Sequence, residues 1–330
     1  MTPDPRSDEV PVPNCRPKIV ATSIGVAAFS RLGVDGNGTI EGSYRDALNV
    51  NFARGMVSFV RDHVQRCSIN VRLRLPPDML DMSSLGLKAG GEVRVRNGSV
   101  ELSSGLEVAL APAELYAPET HFHKEIGNEA AIAGNLDRMV RTAIEYGNTT
   151  GLGSLLALIL DGASDRDIGP LNIFASAGLR RLARVENAYG SGEGGDIAVA
   201  VRECIGLGPG LTPSSDDALA GMVLACLLFE ANRGIENGPA CVLARAIEEG
   251  APGRTTPLSQ EYLAQAACGR GGETAMALCE ELFTGGPASV EKETLKMLAL
   301  GESSGTDTVL GIAIGTMLSI GRRTRLDGGI

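Results

Sequence analysis

At Pro118 the hydrophobic pattern of the chain changes period, and that change decides its class. Upstream, "CSINVRLRL" alternates apolar and polar residues, and "GEVRVRNGSVELSSGLEVALAP" does so twice. Asn97-Gly98 stands between its two arms as a tight-hairpin signal. Residues 17–118 therefore read as a β-rich domain, a barrel or sandwich-like sheet. "SYRDALNVNFARGMVSFVRD" fits either a short helix or a further strand. Downstream, apolar residues recur at helical spacing between glycine-rich breaks, in "NEAAIAGNLDRMVRTAIEYG", "GLGSLLALILDG", "PLNIFASAGLRRLARVENAYG" and "GGDIAVAVRECIG". Residues 119–330 are read as a mainly α-helical domain, making the whole an α+β protein. The proline-rich first 16 residues lack the apolar core of a secretory signal and read as a loose tail.

Several function classes fall away on composition. The net charge of −10 and pI near 5.0 oppose a nucleic-acid binder, which needs clustered Lys and Arg. Aromatic residues at 4% offer no stacking platform for bases. The longest apolar runs, "ALAGMVLACLLFEA" and "VLGIAIGTMLSIG", fall short of the ~20 residues of a membrane span. The seven cysteines form no Cys-x-x-Cys pair and several lie inside apolar helical patterns, so they read as buried thiols of a cytoplasmic protein.

The polar glycine-rich loops carry the functional signal. "GLGPGLTPSSDDALAG" (206–221) enters an apolar helix, as do "GRTTPLSQEYLAQAACG" and "GESSGTDTVLG". Ser214 to Gly221 and Ser304 to Gly311 share the pattern Ser-x-x-Asp-x-x-x-Gly. Thr212-Pro213 and Thr256-Pro257 both suit an N-cap followed by proline at the first helical position. Helix N-termini present unpaired N–H groups, glycine lets an anion approach them, and Arg254 adds a planar cation, so the three loops suit a small ligand with two or more anionic groups. Each motif alone also fits a plain cap. Asp216, Asp217 and Asp307 would repel an anion unless they face away, orient donors or hold a cation. No resident cofactor is expected, Mg²⁺ being the cation these aspartates could hold. His121 and His123 have His-x-His spacing without a third zinc ligand and read as part of an interdomain linker. His63 reads as a surface residue, while Tyr44, Arg45 and Asn49 could reach an interdomain cleft. No cysteine has a matched histidine, which disfavours covalent catalysis.

The series "GLGPGLTPSSDDALAGMVLA", "RTTPLSQEYLAQAACG" and "GESSGTDTVLGIAIG" resembles the signature of the AllH family, associated with oxamate carbamoyltransferase in allantoin degradation. "SYRDALNVNFARGMVSFV", "LGLKAGGEVRVRNGSVEL" and "APAELYAP" are similar and follow in the family's order, so the resemblance covers roughly residues 20 to 320. The opening motif is specific, and the β-domain match rests on looser spacing. Where the family usually has Pro-Ser-Gly-Asp-Asp, this chain has Ser215, which would narrow the site if that glycine touches ligand or needs positive φ. The resemblance implies an oligomeric assembly with FdrA-like and AllG-like subunits, interconverting oxalurate plus phosphate with oxamate plus carbamoyl phosphate. On this expectation Arg254, Thr255 and Thr256 clamp phosphate. Gly208, Gly210, Thr212, Ser214, Ser215 and Asp216, with Ser303, Ser304 and Gly305, receive anionic groups. Asp217 and Asp307 orient donors or accept a proton. A scaffolding subunit and an independent ureido or amide hydrolase are the alternatives.

Overall fold

In a computed structural model, described for residues 18–76, 81–160 and 170–326, the alternating segments close into a barrel. The expected tail and Cys15 lie outside the described residues. The strands are β1 (Lys18–Gly25), β2 (Gly36–Ser43), β3 (Ala47–Phe52), β4 (Gly55–Arg61), β5 (Asn70–Arg74), β6 (Glu92–Arg96), β7 (Ser99–Leu102), β8 (Glu107–Ala109) and β9 (Glu114–Tyr116). Their order is β5-β4-β3-β2-β6-β7-β8-β1-β9, and β1 also pairs with β5, so eight strands form a closed ring that leaves β9 outside. Closure removes the exposed edges that an open sheet would present. Asn97 and Gly98 both have positive φ, as the two-residue hairpin between β6 and β7 requires. The ambiguous 43–62 segment resolves as β3 and β4, with Leu48, Val50, Val57 and Phe59 filling the barrel core. A short helix α1 (Val26–Leu32) follows β1.

The second half is helical: α2 (Glu129–Tyr146), α3 (Ile173–Ser191), α4 (Gly194–Cys204), α5 (Ser214–Asn232), α6 (Pro239–Gly250), α7 (Pro257–Ala267), α8 (Glu273–Thr284), α9 (Pro287–Leu298) and α10 (Ser304–Ser319). "GLGSLLALILDG" departs from its helical reading. Residues Gly153–Leu158 form a 3₁₀ helix, and Asp307 accepts the N–H of Leu152 just before it.

Helices α5 and α10 are apolar on nearly every face and form the centre of this core. Their echoed sequences pack against one another reciprocally. A Cβ on Gly221 would lie 2.3 Å from the Thr308 carbonyl oxygen, and one on Gly311 would lie 1.9 Å from that of Ala218. Thr308 and Ala218 occupy equivalent places in the two repeats, so exchanging the helices maps one contact onto the other. The backbones touch where both side chains are missing.

Two ion-paired clamps join the barrel to the helices. Arg31 pairs with Glu261 at 2.7 Å, and the other oxygen of Glu261 accepts the Met56 N–H at 3.0 Å. Arg66 pairs with Glu273 at 2.7 Å, while Glu273 also accepts the Arg66 N–H at 2.7 Å and donates its own N–H to the Arg66 carbonyl. Within the link between the halves, the main-chain N–H groups of Phe122 and His123 donate to Asn232 and Glu280.

The glycine contacts predict opposite signs for two substitutions. Gly311→Ala should destabilise by about 3 kcal/mol, because the Ala218 carbonyl cannot move without separating the helices. Gly134→Ala, in open space on α2, should stabilise by about 0.5–1 kcal/mol. Urea denaturation of both variants checks this.

Candidate functional site

Between the clamps lies a cavity of about 550 Å³, bounded by the β4–β5 connection, α5, α7, the start of α8 and the loop into α10. Each boundary has a local cause. The stretch 67–71 is buried without interruption, so Ser68 and Asn70 are carried inward beside Ile69 and Val71. α7 begins at Pro257 because Thr256 caps it, accepting the Ser259 N–H at 3.1 Å. The first turns of α5 and α10 meet across a hydrogen bond of 3.0 Å between the hydroxyls of Thr212 and Ser304. Thr212 thus bonds across to the other helix; the N-cap of α5 is Pro213, without a side-chain cap.

The polar groups of this cavity are incompletely paired. Among the described residues nine buried side-chain polar atoms lack a hydrogen-bond partner, and four of them belong to lining residues: Ser68 Oγ, Asn70 Oδ1, Asp217 Oδ2 and Gln265 Oε1. Leaving such atoms dry and unpaired costs about 1–3 kcal/mol each, and four of the nine belong to residues around this one cavity. Asn70 is oriented by donating its amide to the Gln65 carbonyl at 3.2 Å, which turns its oxygen free. Arg270 also lines the cavity, its guanidinium making no hydrogen bond or ion pair with a described residue. At another part of the lining, His63 Nε2 lies 3.5 Å from Asp46.

The two echoed aspartates have different surroundings. Asp307 accepts the Leu152 N–H at 2.6 Å and lies under Gly151, where a Cβ would meet the carboxylate at 2.3 Å. Asp217, its counterpart on α5, faces the cavity. Burial pushes the pKa of Asp217 well up, opposed by the Ser304 hydroxyl, reinforced by the charge of Asp307, and again opposed by the Thr212 hydroxyl. Burial raises Asp307 too, against the Leu152 N–H and the Ser214 and Ser303 hydroxyls. Asp217 can therefore hold a proton under conditions where an exposed aspartate would not.

The sequence-selected residues separate into three places. Thr212, Asp217, Ser304 and Gly305 line the cavity. Asp216 is a buried hub: its oxygens accept the Gly206 N–H at 2.7 Å, the Ser259 hydroxyl at 2.7 Å and the Thr255 hydroxyl. The Thr256 hydroxyl donates to the Leu211 carbonyl. Ser215 donates its N–H to the Leu207 carbonyl at 3.0 Å and accepts the Leu207 N–H on its hydroxyl at 2.9 Å. Its φ is not positive, it borders no part of this cavity, and it ties the loop to Leu207. Gly206 and Gly208 do have positive φ, and a Cβ on Gly208 would lie 2.5 Å from the Ser214 nitrogen. The loop is bare because it folds tightly onto the start of α5. Gly208, Gly210, Ser214 and Ser303 likewise stay off the lining, and Arg254 belongs to a separate groove beside α3 and α4.

Other expectations move. Tyr44, Arg45 and Asn49 do not line the cavity, Asn49 being held inside the barrel by the Ser58 hydroxyl at 2.8 Å. Cys241 and Cys268 are exposed, whereas Cys67, Cys204, Cys226 and Cys279 are buried. Cys67 borders the cavity, but burial pushes its thiol up to about 12, far from a thiolate nucleophile. Among the described residues no three His, Cys, Asp or Glu side chains converge as a metal-holding group, and no helix is long and apolar enough to cross a membrane. Sequence reasoning missed Asn70, Gln265 and Arg270. Asn70 breaks an apolar strand, and the other two follow the Thr-Pro motif at the far end of α7.

Residues 204–316 match the family model of AllH, the oxamate carbamoyltransferase subunit AllH. The match contains α5 through most of α10 and thus the helical wall of the cavity. It supports a subunit of an oxamate carbamoyltransferase. No solved structure matches the chain.

Asp217 and Asp216 should respond oppositely to loss of charge. Where burial raises the folded-state pKa of Asp217, the unfolded chain ionises first. Stability then falls as pH rises from about 4, where an ordinary aspartate titrates, until the folded-state value is passed. Asp217→Asn should flatten that fall, its gain in Tm being larger at pH 8 than at pH 5. Asp216→Asn should cost about 2–4 kcal/mol, because a carboxylamide cannot accept the same set of donors. Thermal melts of both variants across this pH range decide it.

Proposed function

We propose that this chain is a carbamoyltransferase subunit whose interdomain cavity receives the amide end of oxamate or oxalurate. The reaction is oxalurate plus phosphate interconverting with oxamate plus carbamoyl phosphate. The observation that carries the reading is the identity of the unpaired atoms. Asn70 Oδ1 and Gln265 Oε1 are acceptors, Ser68 Oγ can accept, and Asp217 Oδ2 can accept or, when protonated, donate. A primary amide supplies two N–H donors and a ureido group three, while a carboxylate supplies none. The anionic end of the ligand is met by Arg270 and the N–H groups at the start of α10.

In the direction of phosphorolysis, a phosphate oxygen attacks the carbamoyl carbon of oxalurate. The bond from that carbon to the oxamate nitrogen breaks, and the nitrogen takes a proton. Asp217, kept protonated by burial, supplies that proton and takes it back in the reverse direction. Positioning of the two reactants does the rest. FdrA-like and AllG-like subunits complete the assembly in this reading.

Carbamoyl phosphate formation from oxalurate and phosphate tests it, measured on the chain alone and with those partner subunits. Asp217→Asn should lower kcat by about 10²–10⁴ with little change in KM. Gln265→Met should chiefly raise KM, by about 10-fold or more, since it removes one acceptor. Full activity in both variants would remove the cavity from the reaction.

A further inference from the structure

A second concavity, of about 670 Å³, opens on the helical side and is lined by Arg180, Arg181 and Arg184 of α3, Arg202 and Glu203 of α4, and Arg254, with Ala177 and Ile205 completing it. It shares no lining residue with the interdomain cavity. Five arginines and one glutamate line it, in a chain whose net charge is −10. Glu203 is engaged by Arg184, and Arg202 donates its Nε to the Ala198 carbonyl at 3.1 Å. Arg180, Arg181 and Arg254 make no side-chain hydrogen bond or ion pair with a described residue.

Holding like charges together is unfavourable unless something anionic offsets it. The surplus is four positive charges by this lining, too many for one monoanion. Arginine presents planar, paired donors that match phosphate oxygens bidentately. A concavity of this size is that of a small-molecule site rather than a flat protein contact. No aromatic residue lines it, so a base or ring would gain no stacking.

We propose that the arginine groove of α3, α4 and Arg254 binds a small polyphosphate, a ligand carrying at least two linked phosphoryl groups. This site is separate from the cavity assigned to the amide reactant and stands whatever the outcome for that cavity.

The test is calorimetric titration of inorganic pyrophosphate into the full chain at low ionic strength, with adenosine triphosphate and inorganic tripolyphosphate in parallel. One saturable site is expected. Arg180→Gln combined with Arg202→Gln should weaken it at least about tenfold, as should the second pair, Arg181→Gln with Arg184→Gln. Binding should weaken as salt is raised and persist in Asp217→Asn. Comparable binding of adenosine triphosphate and inorganic tripolyphosphate identifies the polyphosphate itself as what is read; tighter binding of adenosine triphosphate than of tripolyphosphate at the same arginines identifies a nucleotide source. Either result supports the site. Absence of saturable binding, indifference to both arginine pairs, or loss of binding in Asp217→Asn overturns it. Binding of a glutamate decapeptide in place of all the phosphate probes also overturns it, and assigns the groove to an acidic protein segment.

Discussion

The close contact between α5 and α10 is the constraint from which the rest of the helical half follows. Gly221 and Gly311 bring two buried backbones together, each against the carbonyl of the opposite helix. This fixes where the first turns lie, so that Thr212 and Ser304 share a hydrogen bond and the two echoed aspartates come to adjoining positions. A side chain at either glycine would separate the helices and dissolve both arrangements.

What the near-symmetry does not preserve is more informative than what it does. Asp307 is covered by the Leu152 N–H and by Gly151, whereas Asp217 lines the interdomain cavity; each carboxylate keeps one unpaired oxygen. The repeat has one closed copy and one open copy. The neighbouring Asp216 points the other way and gathers Gly206, Thr255 and Ser259, so adjacent aspartates divide between holding the loops and facing the space those loops surround. The clamps of Glu261 and Glu273 then set the barrel wall, with Ser68 and Asn70, across from Asp217.

The α+β architecture was legible because period-two and helical patterns occupy different halves, and Asn97-Gly98 specifies its own turn. Closure of the barrel through β1 and β5 was not, since strand order leaves no local mark. For the site, the echoed Ser-x-x-Asp-x-x-x-Gly segments identified Asp217 and Asp307 but could not tell which faced a cavity. That depends on Leu152, which lies 155 positions from Asp307 in the chain. The glycines of 206–210 suggested ligand contact; Gly206 and Gly208 lie close against Arg254 and Ser214, while Gly210 has positive φ in open space. Asn70 was hidden because a buried polar residue in a strand becomes meaningful only when its oxygen has no partner.

The most direct measurement is a crystal structure of the chain, in its assembly, with oxamate bound. The account predicts the amide nitrogen inside the interdomain cavity, within hydrogen-bond reach of Asp217 and of the Asn70 or Gln265 oxygen, with the carboxylate toward Arg270 or the start of α10. Oxamate bound elsewhere at saturation, with those oxygens still unpaired, would contradict it.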